Sequence, residues 1–211
     1  MPSKEREYRN MELRVAPFEV GEEPTFFVEG YASTFETYKL LTLDGVDYFE
    51  RIEPTAFDDA DMSDVVFRVD HEGPVYARTS AGTVTLWTDE HGLGQRTDLG
   101  RTNRAREIYA DIAAGNYPKM SFAFKVAEGG DHYEKESHTR VISRIAKVFD
   151  VSPVSFPANP GTELSISTRD YFNGVIEAEK AERLEREKRE RQIRKIRILA
   201  EVNHGTERNE H

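Results

Sequence analysis

The 211-residue sequence contains no cysteine, which excludes disulfide crosslinks and thiolate nucleophiles and allows, without requiring, an intracellular site. No apolar run approaches the ~20 residues that a membrane-spanning helix needs, so no membrane partner is expected. The opening decapeptide, Met1 to Asn10, is charged and lacks the apolar core of a signal peptide. An excess of positive charge is missing as well. The net charge of −10 is the opposite of the usual nucleic-acid footprint, and no nucleic-acid partner is expected. There is no P-loop and no G-x-G-x-x-G, hence no cradle for a phosphate or dinucleotide cofactor. Nor is there an H-E-x-x-H pair, and His91, His132, His138, His204 and His211 fall in turns, a polar loop or the tail. A catalytic zinc needs three protein ligands, whereas Asp70, His71 and Glu72 on one strand would point to alternate faces. No cofactor and no metal are therefore expected. The G-x-S-x-G elbow is also absent, which disfavours an α/β-hydrolase.

What is present divides into two regions. The hydrophobic fraction of 37% and mean hydropathy of −0.67 are low for a fully globular chain of this length, so some segment must be solvated. Of the 29 Lys/Arg and 39 Asp/Glu, ten of each lie in Asp170–His211, leaving 19 basic and 29 acidic residues before it. The tail is neutral and the first 169 residues carry the entire −10. Within the tail, "GVIEAEKAERLEREKRERQIRKIRILAEV" predicts a helix with little apolar surface at its centre. It is laced with i,i+4 pairs at Glu182/Arg186, Glu185/Arg189, Glu187/Arg191 and Glu190/Arg194, each worth ~0.2–0.5 kcal/mol. Two readings stay open for it: a solvated surface helix, or an arm that tethers the domain or self-associates through Ile193, Ile196 and Leu199. No sustained heptad favours a coiled coil.

The first region reads as mainly β with a few helices. "MELRVAPF" and "FFVEGYASTF" alternate with period 2 and are broken by Pro and Gly. "VDYFERIEPTAF" predicts a strand to Pro54 and then a helical turn, and "DVVFRVDHE" a β-branched strand ending in a polar cluster. "GTVTLWTDEHGLGQRTDL" predicts a hairpin turning at Asp89–Gly92. Thr102 is placed to cap a helix whose Ala105, Ile108, Tyr109 and Ile112 share a face, with Gly115 as its stop. "KMSFAFKV" predicts a strand, Glu128–Thr139 a polar loop, "RVISRIAKVFDVSPVSF" a further strand, and "PANPGT" the end of the domain.

Three residues could together do acyl-transfer chemistry: His71 at a strand end, Ser121 in an apolar strand, and Asp150 at the end of "IAKVFD". A serine nucleophile needs a base to take its proton, and the base benefits from a third group that fixes its tautomer. A free imidazole, with a pKa near ~6.5, is suited to that task around neutral pH. The residues alone leave this open, because each also reads as an ordinary strand, surface or loop residue. Ser33, Ser152 and Ser155 are rival strand serines.

The order of the segments adds information. "VEGYASTFE", "FERIEPTAF", "RVDHEGPVYART", "HGLGQRTDLGRTNRAREIYADIAAGNYPKMSFAF" and "FDVSPVSFPANPGT" occur in one succession from about Met11 to Thr162. That succession resembles the prohead protease family of tailed bacteriophages, the HK97-like type. The resemblance implies a serine endopeptidase with a herpesvirus-assemblin-like closed β-barrel plus the long charged C-terminal helix. It carries over His71 as general base, Ser121 as nucleophile and Asp150 as third member. The expected organisation is a flexible extension at 1–10, a β-barrel protease domain at 11–168 and a charged helical tail at 169–211. The implied substrates are the major capsid protein, scaffold segments and the chain itself, inside the prohead in the host cytoplasm. A homodimer is expected by analogy with assemblin-type enzymes. Departures are Asp70 and Glu72 in place of the usual Asn and Asp, Ala77-Arg78 for glycine-arginine, and Asp150 where Glu is more frequent. An oxyanion hole is required as well, and the Gly-rich or "RTNR" loops are its candidates. The contrasting expectation is a catalytically inactive relative that scaffolds capsid assembly through its tail. On "KMSFAFKV", Phe122 and Phe124 are expected to anchor the strand while Ser121 and Ala123 take the opposite, accessible face.

Overall fold

The computed structural model describes residues 7–15, 25–43, 45–155 and 166–207, and the "PANPGT" segment lies outside them. Twelve strands and two helices are described, which bears out a mainly β chain with helices. The strands are β1 (Glu7–Val15), β2 (Phe27–Thr34), β3 (Tyr38–Leu43), β4 (Val46–Ile52), β5 (Val66–Val69) and β6 (Glu72–Arg78). They continue with β7 (Val84–Thr88), β8 (Gly92–Asp98), β9 (Lys119–Val126), β10 (Asp131–Glu134), β11 (Thr139–Ile142) and β12 (Ile145–Val154). The helices are α1 (Asn103–Ala113) and α2 (Ile166–Glu207). Contacts divide the chain into Met1–Ser167 and Thr168–His211.

Eight strands form one sheet in the order β6-β5-β12-β9-β1-β2-β8-β7, and four form a second in the order β10-β11-β4-β3. The expected closed barrel is not found. Among the described residues, β6 and β7 end the eight-stranded sheet and do not pair with each other. Neither β6 nor the corner after it offers β7 a continuous ladder. Pro74 removes a ladder N–H from β6. The chain then turns through Thr79–Ala81, where Thr83 N–H donates to Arg78 O (3.2 Å) without extending a ladder. β1 begins at Glu7, inside the decapeptide expected to be an extension, and joins the two halves of the sheet. Its residues Glu7–Glu12 pair with β9 and Leu13–Val15 pair with β2.

The local expectations hold where side-chain chemistry decides the backbone. Pro54 opens a 3-10 turn over Pro54–Phe57 at the end of β4. The β7–β8 hairpin turns through Asp89–Gly92, its Asp89 N–H donating to Gly92 O (3.1 Å). Thr102 Oγ1 accepts from Ala105 N–H (3.1 Å) at the start of α1, and Gly115 follows its end with φ +84°. Ala105 and Ile112 on the expected face are buried. The Glu128–Thr139 loop is a correction: it contains β10, paired with β11. A buried ion cluster holds that small sheet, with Arg140 donating to Asp131 Oδ2 (2.7 Å) and Glu50 Oε2 (3.3 Å), and Tyr38 OH donating to Glu50 Oε1. The expected single strand from Arg140 onward is accordingly two, β11 and β12.

The core lies on one face of the β5-β12-β9 part of the sheet. Phe67, Val148, Val151, Met120, Phe122 and Phe124 are buried in it, and the Phe122 and Phe124 rings stack at 4.6 Å between centroids. Burying one aromatic side chain of this kind contributes about 1.5–3 kcal/mol, which fixes β9 along its length. The second unit is the helix α2, whose central surface is exposed and charged, with ion pairs at Glu177–Lys180 (3.2 Å) and Glu185–Lys188 (2.9 Å). Among the described residues no helix is long and apolar enough to cross a membrane.

Candidate active site

Strand alternation places Ser121 and Ala123 opposite Phe122 and Phe124, as the sequence predicts. They are not accessible, however. β9 lies between β12 and β1, and Ser121 and Ala123 are each 0% exposed.

The neighbouring strand reaches the same face through a bulge. Val148 pairs with Phe124 and Asp150 with Ala123, so Phe149 is an extra residue between them. Without the bulge, a period of two would put Asp150 on the core face with Val148; with it, Asp150 sits beside Ala123. Val151 then returns to the core opposite Phe122, and Ser152 stands opposite Ser121.

His71 arrives from a turn and not from a strand, which corrects the expectation that Asp70, His71 and Glu72 alternate along one. Val69 pairs with Glu72, leaving Asp70 and His71 as a two-residue hairpin loop. Their φ values are +47° and +58°. Two left-handed residues give a type I′ turn, which suits the twist of a hairpin, and Asp and His are among the few non-glycine residues that enter that region readily. The turn is tied down on several sides. Asp70 N–H donates to Pro153 O (3.0 Å) on β12. The Asp70 carboxylate accepts from Ser155 N–H (2.9 Å) and Ser155 Oγ–H (3.1 Å to Oδ2). Arg68 Nη2 donates to Gly73 O (2.7 Å) across the hairpin.

So held, the imidazole lies between the other two side chains. His71 Nδ1 is 2.6 Å from Asp150 Oδ1, and Nε2 is 2.7 Å from Ser121 Oγ. The ionised carboxylate can only accept, so Nδ1 carries the hydrogen, and in the neutral ring Nε2 then accepts from the Ser121 hydroxyl. Asp150 is 1% exposed, whereas the His71 side chain is 16% exposed, so the ring is the most open member of the trio. Tyr117, just ahead of β9, has its phenol pushed up first by burial and then by the nearby Asp70 and Asp111 carboxylates. A hydroxyl bonded to a neutral imidazole nitrogen, whose far nitrogen is bonded to a buried carboxylate, can transfer its proton and leave an alkoxide-like oxygen.

The remaining candidates lie elsewhere or serve other ends. Ser33 donates to Thr34 O (3.3 Å) on β2. Ser155 holds Asp70, and Ser152 donates to Asp150 Oδ1 (2.7 Å). Glu72 is exposed. His91 sits in the β7–β8 turn beside Asp89, and His138 bonds Tyr133 OH (2.9 Å). In the "RTNR" stretch, Arg101 bonds Asp98 (2.7 Å), Thr102 caps α1, and the Arg104 guanidinium lies 5.7 Å from the Tyr76 ring centroid. Sequence reasoning missed the parts of Asp70 and Ser152. The available signal for Ser152 was its two-residue spacing from Asp150, which in a strand means a shared face. Among the described residues no group of three or more His, Cys, Asp or Glu could hold a metal ion.

Comparison with curated proteins and with solved structures found no match. The family model described as caudovirus prohead serine protease matches residues 11–175, a span that takes in β2 to β12 and His71, Ser121 and Asp150. The chain belongs to the caudovirus prohead serine protease family.

Proposed function

We propose that this protein is the serine endopeptidase of phage capsid maturation, with Ser121 as nucleophile, His71 as general base and Asp150 as the group that orients the imidazole. The supporting observation is the unbroken hydrogen-bond chain from Asp150 through His71 to Ser121, at 2.6 and 2.7 Å. In this reading His71 Nε2 takes the Ser121 proton as Oγ attacks the scissile carbonyl, and Asp150 stabilises the resulting imidazolium. The same imidazolium then protonates the leaving amine, releasing the C-terminal fragment. Water, deprotonated by His71, hydrolyses the acyl-enzyme and restores Ser121. The substrates are segments of the major capsid protein and scaffold, and the chain itself, within the immature head. The charged α2 helix serves as the arm that keeps the enzyme with that assembly. An inactive scaffold would be favoured by His71 and Ser121 facing apart, whereas their side chains are in contact.

Co-expression with the cognate capsid protein tests the reading. The wild-type chain is expected to shorten the capsid protein, and Ser121→Ala to leave it full length. Unchanged processing by Ser121→Ala refutes the assignment.

A further inference from the structure

Ser152 lies on β12 beside the trio. It stands directly across from Ser121 in the β12–β9 register and two residues beyond Asp150 on its own strand. It is 0% exposed, and its hydroxyl donates to Asp150 Oδ1 at 2.7 Å. That is the same oxygen that receives His71 Nδ1 at 2.6 Å. A buried carboxylate is costly without donors, and the geometry of its donors decides where its oxygens point. Asp150 enters this face only because of the bulge at Phe149, and pairing with Ala123 and Val66 fixes its backbone but leaves its side-chain torsions free. Its side chain must be steered by contacts.

We propose that Ser152 is a positioning residue of the active site: its hydroxyl fixes the Asp150 carboxylate so that Oδ1 meets His71 Nδ1. This rests on the reading of Ser121, His71 and Asp150 as the catalytic trio. Ser152 itself takes no part in bond making, because its hydrogen is given to the carboxylate and His71 Nε2 is engaged by Ser121. With the hydroxyl gone, Asp150 Oδ1 loses the Ser152 donor and keeps only His71 Nδ1, and the carboxylate can rotate about χ2 away from the ring. The imidazole then spends less time in the tautomer and orientation that accept the serine proton.

The test uses the full chain and a fluorophosphonate probe, which reports Ser121 nucleophilicity independently of the natural substrate, together with kcat and KM on a capsid-derived peptide. Ser152→Ala is expected to slow labelling by roughly tenfold to a hundredfold, by analogy with the outer hydrogen-bond partners of metal-ligating side chains. The loss should fall on kcat, with KM changed little. Ser152→Thr, which keeps the hydroxyl, is expected to label within a few-fold of wild type. Labelling of Ser152→Ala at the wild-type rate overturns the proposal, as does a Thr variant as slow as Ala, which would trace the loss to packing. If the Ala variant does not fold, Thr is compared with Ser152→Cys, whose thiol is a weak donor. Cys should then label more slowly than Thr, and equal rates overturn the proposal. Failure of the wild-type chain to label at Ser121 is a different result, since it removes the serine-nucleophile reading itself.

Discussion

The left-handed turn that carries His71 can be dissected at Asp70, because one residue supplies both its backbone conformation and its clamp. Asp70 holds φ at +47° and its carboxylate accepts two hydrogen bonds from Ser155. Replacing it by Ala loses both bonds, worth about 0.5–1 kcal/mol each at an exposed site. Ala also brings a Cβ into the left-handed region without a polar side chain to compensate, costing about 1–2 kcal/mol more. The Ala variant should therefore be destabilised by roughly 2–4 kcal/mol. Gly relieves the backbone cost and loses only the bonds, so about 1–2 kcal/mol is expected. Asn tolerates the left-handed region and keeps an acceptor for Ser155 N–H, so less than about 1 kcal/mol is expected. Denaturant midpoints at constant slope measure the three values, and fluorophosphonate labelling of Ser121 reports the same order at the site. Ala no worse than Gly would refute the argument from backbone strain. Asn as damaging as Ala would refute the clamp.

Further outcomes follow from other contacts. Asp150→Asn should preserve the fold and slow Ser121 acylation by about 10⁴, since an amide can donate to Nδ1 and select the wrong tautomer; labelling rate checks it, and a loss below tenfold would remove Asp150 from the trio. Arg140→Leu leaves the buried Glu50 and the partly buried Asp131 without their cation and should cost about 3–5 kcal/mol, read from denaturant unfolding. Asp89 accepts from Tyr31 OH and from the His91 N–H, which lower its carboxyl to about 2. Its folded pKa lies below the ordinary carboxylate range, so its contribution is fully present above about pH 4 and is lost as pH falls towards 2. The Tm difference between wild type and Asp89→Asn should accordingly shrink over that window; a constant difference refutes it.

How much of this was legible in the sequence varied with the kind of signal. Pro54, Thr102, Gly115 and the Asp89–Gly92 turn each announce a backbone event by their own chemistry, and those elements were read from the residues. β10 was hidden because "DHYE" offers no apolar alternation, while the ion pair between Asp131 and Arg140 supports it from the next strand. The start of β1 is hidden because "EYRN" is polar, although its backbone pairs with β9 from Glu7 onward. Sheet closure is a global property, and no local pattern shows that β6 and β7 fail to pair. At the site, the three residues were named through the family-like order of segments, but two geometric devices that join them were invisible. The bulge at Phe149 reverses the face on which Asp150 falls, and the hairpin loop at Asp70-His71 contains neither Gly nor Asn to betray it.

That loop has a practical consequence for genetics. At position 71 a residue must do more than supply an imidazole: it must also accept φ of +58°, which most side chains resist. A His71→Ala null allele would therefore alter the shape of the hairpin along with its chemistry, and a failed phage could be blamed on either. His71→Asn, which tolerates the same backbone, is the cleaner test of the proposed general base. Under the proposed function, a capsid arrested with that allele is expected to reflect missing proton transfer and not a reshaped turn.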